Sequence, residues 1–288
     1  MRPYFISDMK LLTLGMCQLH SIMLVSPSLR SCDWEYLHIR DTPSSEIQSK
    51  VSSADIIITH PTSYWFRHDH ALATENILRL LKPSALMVLM PTLDCPFYYF
   101  DVGHIYVEGR TINQPSHLHY KGLYETHLTG GGEEEFIRDC VQNVSYCRDI
   151  EKVCSDYFDL QSKHEDRARS FSGPNCVPLI VSDLIRSNYK DTLLSYTANH
   201  PTKELIQLVA ERLHKLIGAD WLTIDKNADP FAGDGVQDIL YASIAEHVSF
   251  DTAKHPFRTQ TPYDDPTFSG VINWYLRSYD SVANYYVT

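Results

Sequence analysis

The chain has no CxxC pair, no surplus of basic residues and no uninterrupted apolar run of membrane-spanning length. Each absence closes a class of function. The seven cysteines are odd in number and scattered, which argues against the disulfide framework of a small secreted protein. Lys and Arg total 25 against 36 Asp and Glu, a formal net charge of −11. Such a chain repels a phosphate backbone, so nucleic-acid binding is not expected, and a small anionic ligand would need a local basic patch or a helix N-terminus. Without about 20 consecutive apolar residues, no membrane span is expected. Arg2 and Lys10 precede an apolar stretch from Leu11 to Val25. Thr13, Gln18, His20 and Ser21 interrupt it and no small-x-small cleavage site follows, so a cytoplasmic location is expected. The glycines at 130–132 lead into three glutamates rather than the Lys-Ser/Thr of a P-loop, and the acids would repel a phosphate. His104, His117 and His119 lack compact ligand spacing, so no metal is expected. HPT occurs at 60–62 and 200–202 with unlike flanks, which is not an internal repeat.

What remains is a globular composition, 43% hydrophobic and 21% charged, sufficient for a large core. In the first half, short apolar runs alternate with helical or turn-rich stretches: LLTLG (11–15), YLHIR (36–40), ADIIITH (54–60) and ALMVLMP (85–91). Ala71 to Lys82 reads as a helix stopping before Pro83. The alternation predicts an α/β fold, a mainly parallel sheet flanked by helices, and the nearly continuous ADIIIT suits a strand covered on both faces. Residues 91–109 read as an aromatic, ordered loop, and the acids of TGGGEEE (129–135) open a long helix. Cys140, Cys147 and Cys154 recur at heptad spacing on that helix, in line with Phe136, Val144 and Phe158, as small core residues. Residues 162–175 read as a polar linker, after which VPLIVSDLI and LLSYT return to buried structure. NHPTKELIQLVAERLHKLIG is a helix capped by Thr202 and closed by Gly218, with Leu205, Val209, Leu213, Leu216 and Ile217 as its buried stripe. The part from 219 to 288 is expected to be helical and loop-rich.

Chemistry can be placed at two points. Gly15 ends a strand, and in open α/β sheets ligands collect at the carboxyl ends of strands. Cys17 would stand there, near a helix N-terminus that supplies N–H donors and favours the thiolate, and Gln18 could offer an amide donor to an oxyanion. The alternative is that Cys17 is an ordinary buried thiol. His200, fixed by Pro201 and by the cap at Thr202 in a strand-to-helix loop, is a candidate general base, or else an inert helix flank. Together Cys17 and His200 would make a nucleophile–base pair if the fold joins them. After the strand ending at His60, Tyr64 and Trp65 could cover a ring and Arg67 could pair with a phosphate; otherwise this is a surface loop.

The order of these segments, a strand ending in Gly-x-Cys-Gln, ADIIITHPTSYWFR, MPTLDCPFYYF and SYTANHPTKEL, resembles the WcbI-like family, acetyltransferases of capsular polysaccharide biosynthesis. The likeness spans Lys10 to Gly218 most clearly. It implies one α/β domain over 1–288 with an esterase-like core at about 10–218 and a C-terminal extension, 219–288. It further implies a homodimer that binds coenzyme A or acetyl-CoA and transfers an acyl group to the hydroxyl of a sugar or polysaccharide-precursor acceptor. By that resemblance Cys17, Gln18 and His200 are catalytic, and Gly15, Tyr64, Arg67 and Asn199 contact the cofactor. Met16 stands where the family motif has asparagine. Thr197 stands where esterase-like folds place an aspartate, for which Asp183 is the substitute offered. Lys82 or Lys203 would join Arg67 at the phosphates. A hydrolase of the same fold and a non-catalytic ligand-binding protein are the competing readings.

Overall fold

The computed structural model describes residues 9–30, 32–63, 66, 69–107, 109–112, 118–218, 223–231, 237–257 and 267–286. The chain forms two units: residues 1–93, 158–187 and 201–230 make the first, and residues 94–157, 188–200 and 231–288 the second.

The first unit is built on five parallel strands in the order β2-β1-β3-β4-β5. These are β1 (Lys10–Gly15), β2 (Asp33–His38), β3 (Ile56–Thr59), β4 (Leu86–Leu89) and β5 (Cys176–Pro178). Register is continuous across the carboxyl edge, with Gly15 opposite His38, Leu14 opposite Thr59, and Thr59 opposite Leu89. β3 and residues 11–15 of β1 are buried throughout, as strands covered on both faces must be. One face is packed by α2 (Ser44–Ser53) and α3 (Thr74–Arg79), with Leu12, Leu14, Ile47, Val51, Ile57, Ile77 and Met87 in a single cluster. α1 (Cys17–Leu24) follows β1 directly and packs on α7 (Lys203–Leu216).

α7 forms as expected, with Thr202 at its N-cap and Gly218 at φ +71. Leu205, Val209 and Leu213 are buried, but Leu216 is exposed, and Ile206, Ala210 and His214 widen the stripe instead. A larger departure is α5, which runs from Ile150 to Ser170 through the stretch expected to be a linker. Its charges are one solvated face of a helix whose other face buries Phe158, Gln161, Glu165 and Ala168. Glu165 accepts the N–H groups of Val181 (2.9 Å) and Ser182 (2.8 Å), holding the start of α6 (Ser182–Asn188).

In the second unit, α4 (Lys121–Leu128), a turn at Glu133–Phe136 and α8 (Phe268–Tyr286) enclose a core of Tyr120, Phe136, Tyr241, Tyr275 and Tyr279. VINWYL (271–276) supplies Val271, Ile272 and Tyr275 to that core. Buried Asp101 organises it, accepting from Tyr241 Oη (2.6 Å), Tyr146 Oη (2.7 Å) and the Gly122 N–H (3.0 Å). The heptad helix through the three cysteines does not form. Asn143 stops it, accepting the Ser145 N–H at 2.9 Å and donating to the Asp139 carbonyl at 3.0 Å. Cys140 and Cys154 are buried on separate elements, Cys147 is half-buried, and Val144 is exposed.

Candidate functional site

β1 ends on Gly15, Met16 is extended (φ −92°, ψ 177°), and Cys17 is the first residue of α1. A side chain at Gly15 would meet His60 Cδ2 at 3.0 Å and Leu19 Cγ at 3.2 Å, so glycine lets the strand end, the helix and His60 close together. Cys17 is half-buried, and its carbonyl accepts from Ser21 Oγ at 2.9 Å. Gln18 is buried with Oε1 accepting the Leu93 N–H at 2.8 Å, which ties α1 to the loop after β4. The oxygen end of the expected amide donor is thus structural, and donation falls to its nitrogen. On neighbouring β2, Tyr36 donates to the Gly15 carbonyl at 3.3 Å. Burial, with the Cys17 and Asp41 charges adding to it, pushes Tyr36 up to about 12, so it stays a donor. His20 stacks on Tyr36 with centroids 4.6 Å apart, and burial lowers its pKa.

A cavity of about 330 Å³ opens at the carboxyl edge of the sheet. Four of the five strands deliver to it: Met16 after β1, Ile39 and Arg40 after β2, His60 to Ser63 after β3, and Pro91 and Thr92 after β4; Phe66 and the α5 residues His164 and Arg167 complete the wall. The strand order reverses between β1 and β3, so this is the topological switch point at which such sheets bind ligands. His60 is buried, and its Nδ1 lies 2.9 Å from the Met90 carbonyl. A carbonyl can only accept, which assigns the hydrogen to Nδ1 and leaves the lone pair of a neutral ring on Nε2. Arg167 Nη2 donates to the Thr62 carbonyl at 3.1 Å. Among the described residues that line the cavity, arginine and histidine are the ionisable types, and no carboxylate joins them.

None of the expected site residues among those described lines this cavity: Gly15, Cys17 and Gln18 adjoin it through Met16, and the others fall elsewhere. Asn199 and His200 belong to the second unit, whereas Gly15, Cys17 and Gln18 belong to the first. His200 stacks on Phe231 (4.8 Å, 11°), and its N–H donates to Thr197 Oγ1 at 3.2 Å. Thr197 therefore shapes the turn. Its hydroxyl is also 3.0 Å from Asn199 Oδ1, and Ser195 Oγ donates to the His200 carbonyl at 2.8 Å. Asp183 lies in the first unit and pairs with Arg212, whose hydrogen bond holds its carboxyl below the ordinary range. Lys82 pairs with Asp55 at 2.6 Å beside the start of β1, at the amino edge of the sheet and away from the cavity. Tyr64 and Arg67 lie outside the described residues. Sequence reasoning missed Arg40, His164 and Arg167. Arg40 was read as strand and the other two as linker, although their i, i+3 spacing between buried Gln161 and Ala168 was the available sign of a helix. Among the described residues, no three His, Cys, Asp or Glu converge to hold a metal, and no helix is long and apolar enough to cross a membrane.

Sheet order and cleft define a doubly wound α/β protein with a cavity at its switch point. The sequence profile of the family described as Polysaccharide biosynthesis enzyme WcbI matches residues 10–221, and the chain belongs to that family of enzymes. It is similar to a solved structure of WcbI, described as a novel polysaccharide biosynthesis enzyme in its native form, without a disulfide bond between coenzyme A and a cysteine of that protein. The TM-score is 0.72 at 19% identity over 94% of this chain and 91% of that one, a likeness of fold. No curated protein matches the chain. The family drawn from motif order and the expected α/β architecture are both borne out.

Proposed function

We propose that this enzyme transfers an acyl group, acetyl in the first instance, from coenzyme A to a hydroxyl of a sugar or polysaccharide precursor. The observation that carries the reading is the switch-point cleft, which adjoins the Cys17 turn and lacks a carboxylate among its described lining residues in a chain of net charge −11. Its chemistry suits coenzyme A. Met16, Pro61, Phe66 and Pro91 offer apolar contact to an uncharged arm, and Arg40 and Arg167 offer cations to phosphates. The description of the solved WcbI, which mentions a coenzyme A–cysteine disulfide, agrees with a thiol of this chain standing near the ligand's sulfur.

When bound, coenzyme A supplies an acyl group activated as a thioester. The chain's own residues then have three tasks. The amino end of α1 offers N–H donors to developing negative charge on the acyl oxygen, and the Gln18 amide nitrogen is the second donor proposed. Apolar lining excludes water, which favours a sugar hydroxyl over hydrolysis. An imidazole takes the hydroxyl proton and returns it to the departing thiolate, so that the ester C–O bond forms as the thioester C–S bond breaks. Three histidines are candidates: His60 and His164, which line the cleft, and His200, expected from the sequence and carried by the second unit. Replacing each by alanine assigns the step to the one whose loss lowers turnover.

Calorimetric titration with coenzyme A and acetyl-CoA tests the reading. Binding of either ligand supports it, and absence of binding by both removes it. Acyl release to water alone, with sugar acceptors present, would make the protein a hydrolase. Cys17→Ala separates two routes: retained acyl transfer excludes an acyl group carried on the thiol, and complete loss favours it.

A further inference from the structure

We infer that Arg40, His164 and Arg167 form the seat of a phosphomonoester, which is the 3′-phosphate of coenzyme A if the reading above, on which this assignment rests, is right. The three side chains reach one cavity from two distant parts of the sequence. Arg40 follows β2, and His164 and Arg167 are one turn apart on α5. Acidic residues outnumber basic ones by 36 to 25, so chance would favour carboxylates on any wall, yet the described lining has none. Arg167 is oriented by its bond to the Thr62 carbonyl. A guanidinium has five N–H donors, so this one contact leaves most of the fork for a ligand.

The same cavity also has apolar lining, Met16, Phe66 and Pro91. A ligand matching both kinds of lining combines a concentrated negative charge with an uncharged arm. Among phosphates, the monoester carries the most charge on one centre, about −1.5 to −2, with three acceptor oxygens. It gains most from several cations converging. Each phosphate of a diphosphate linkage carries about one charge, which backbone N–H groups at a helix N-terminus can satisfy.

The test compares coenzyme A with dephospho-coenzyme A, which lacks only that monoester, and uses adenosine 3′,5′-bisphosphate as a second probe. Calorimetry is run on the full chain and on Arg40→Gln, Arg40→Lys and Arg167→Lys, with thermal melts to confirm folding. The wild type is expected to bind coenzyme A roughly tenfold or more tightly than the dephospho form. Arg40→Gln should lower affinity for coenzyme A about tenfold, leave the dephospho form unchanged and so erase the preference, while Arg40→Lys restores part of it. Equal wild-type affinity for the two ligands, or an Arg40→Gln loss shared equally between them, overturns the assignment. If coenzyme A does not bind but adenosine 3′,5′-bisphosphate binds in an Arg40-dependent way, the phosphate seat stands and the coenzyme A reading falls. If neither binds, both fall.

Discussion

Gly15→Ala is the substitution on which the geometry of the Cys17 turn can be tested most directly. Exchanging glycine for alanine in a compatible backbone ordinarily stabilises a protein by about 0.4–1 kcal/mol, because the unfolded chain loses freedom. Gly15 sits in regular strand, so its backbone demands no left-handed conformation. The obstacle is space. The added methyl would lie 3.0 Å from His60 Cδ2, 3.2 Å from Leu19 Cγ and closer still to Leu19 Cδ1. Neither neighbour can retreat into solvent: Leu19 is 1% exposed and His60 7%. His60 is also anchored to the Met90 carbonyl. Overpacking of this kind costs about 1–3 kcal/mol. The net expectation is a loss of roughly 1–2 kcal/mol, or about 2–8 °C in Tm. Thermal and urea unfolding measure it, and Leu19→Ala supplies a double-mutant cycle. Because the smaller side chain makes room for the methyl, the double variant should be more stable than the sum of the single effects by about 1 kcal/mol. A Gly15→Ala protein that melts at or above the wild type, or a cycle without coupling, would refute the reasoning.

Four further outcomes are expected. Gln18→Ala orphans the buried Leu93 N–H and should cost about 1–3 kcal/mol in urea unfolding, whereas Gln18→Glu keeps an acceptor there but loses the amide donor and should lower turnover more than substrate affinity. Asp101→Ala removes the acceptor shared by Tyr146, Tyr241 and the Gly122 N–H; it should cost roughly 3 kcal/mol or more, and a loss under about 1 kcal/mol would deny Asp101 its organising place. Burial pushes the Asp238 carboxyl up to about 6, against the lowering bond from Tyr120, so its stabilising contribution is complete below about pH 4 and lost as pH rises through about 6. Between those limits the wild type should lose roughly 2–3 kcal/mol relative to Asp238→Asn, and parallel stability curves for the two proteins would contradict this. Thiol labelling of the native protein should reach Cys17 and Cys147, the two half-buried cysteines, while the other five stay protected until unfolding. Coenzyme A should shield Cys17 selectively, as read by mass spectrometry of labelled peptides.

The centre of the sheet was legible because β1, β3 and β4 are short, nearly all apolar and punctuated by Gly15, His60 and Pro91, and burial on both faces leaves little else for such runs to become. The Cys17 turn was legible for a related reason, since a glycine at a strand end marks a tight approach that the contacts of Leu19 and His60 explain. The cationic wall was not. Arg40, His164 and Arg167 come together only through the tertiary fold, and no local spacing joins residue 40 to residue 167. Residues 142–149 misled in the opposite direction. A heptad of cysteines is good helical evidence, but the local hydrogen bonds of Asn143 won over periodicity. Gln18 was placed correctly at the helix start, but its bond to Leu93, 75 residues away, could not be read from any pattern near it.

The interleaving of the two units has a consequence for biosynthesis. The first unit has all its segments once residue 230 has been made, whereas the second still awaits α8 and the Val271, Ile272, Tyr275 and Tyr279 side chains that fill its core. At about 5–20 residues per second, residues 231–288 take roughly 3–12 s to synthesise. For that interval Tyr120 and Tyr146 exist without their covering helix, an apolar surface inviting chaperone capture. A chain cut short within residues 231–288 would therefore have a finished sheet and an unfinished aromatic core.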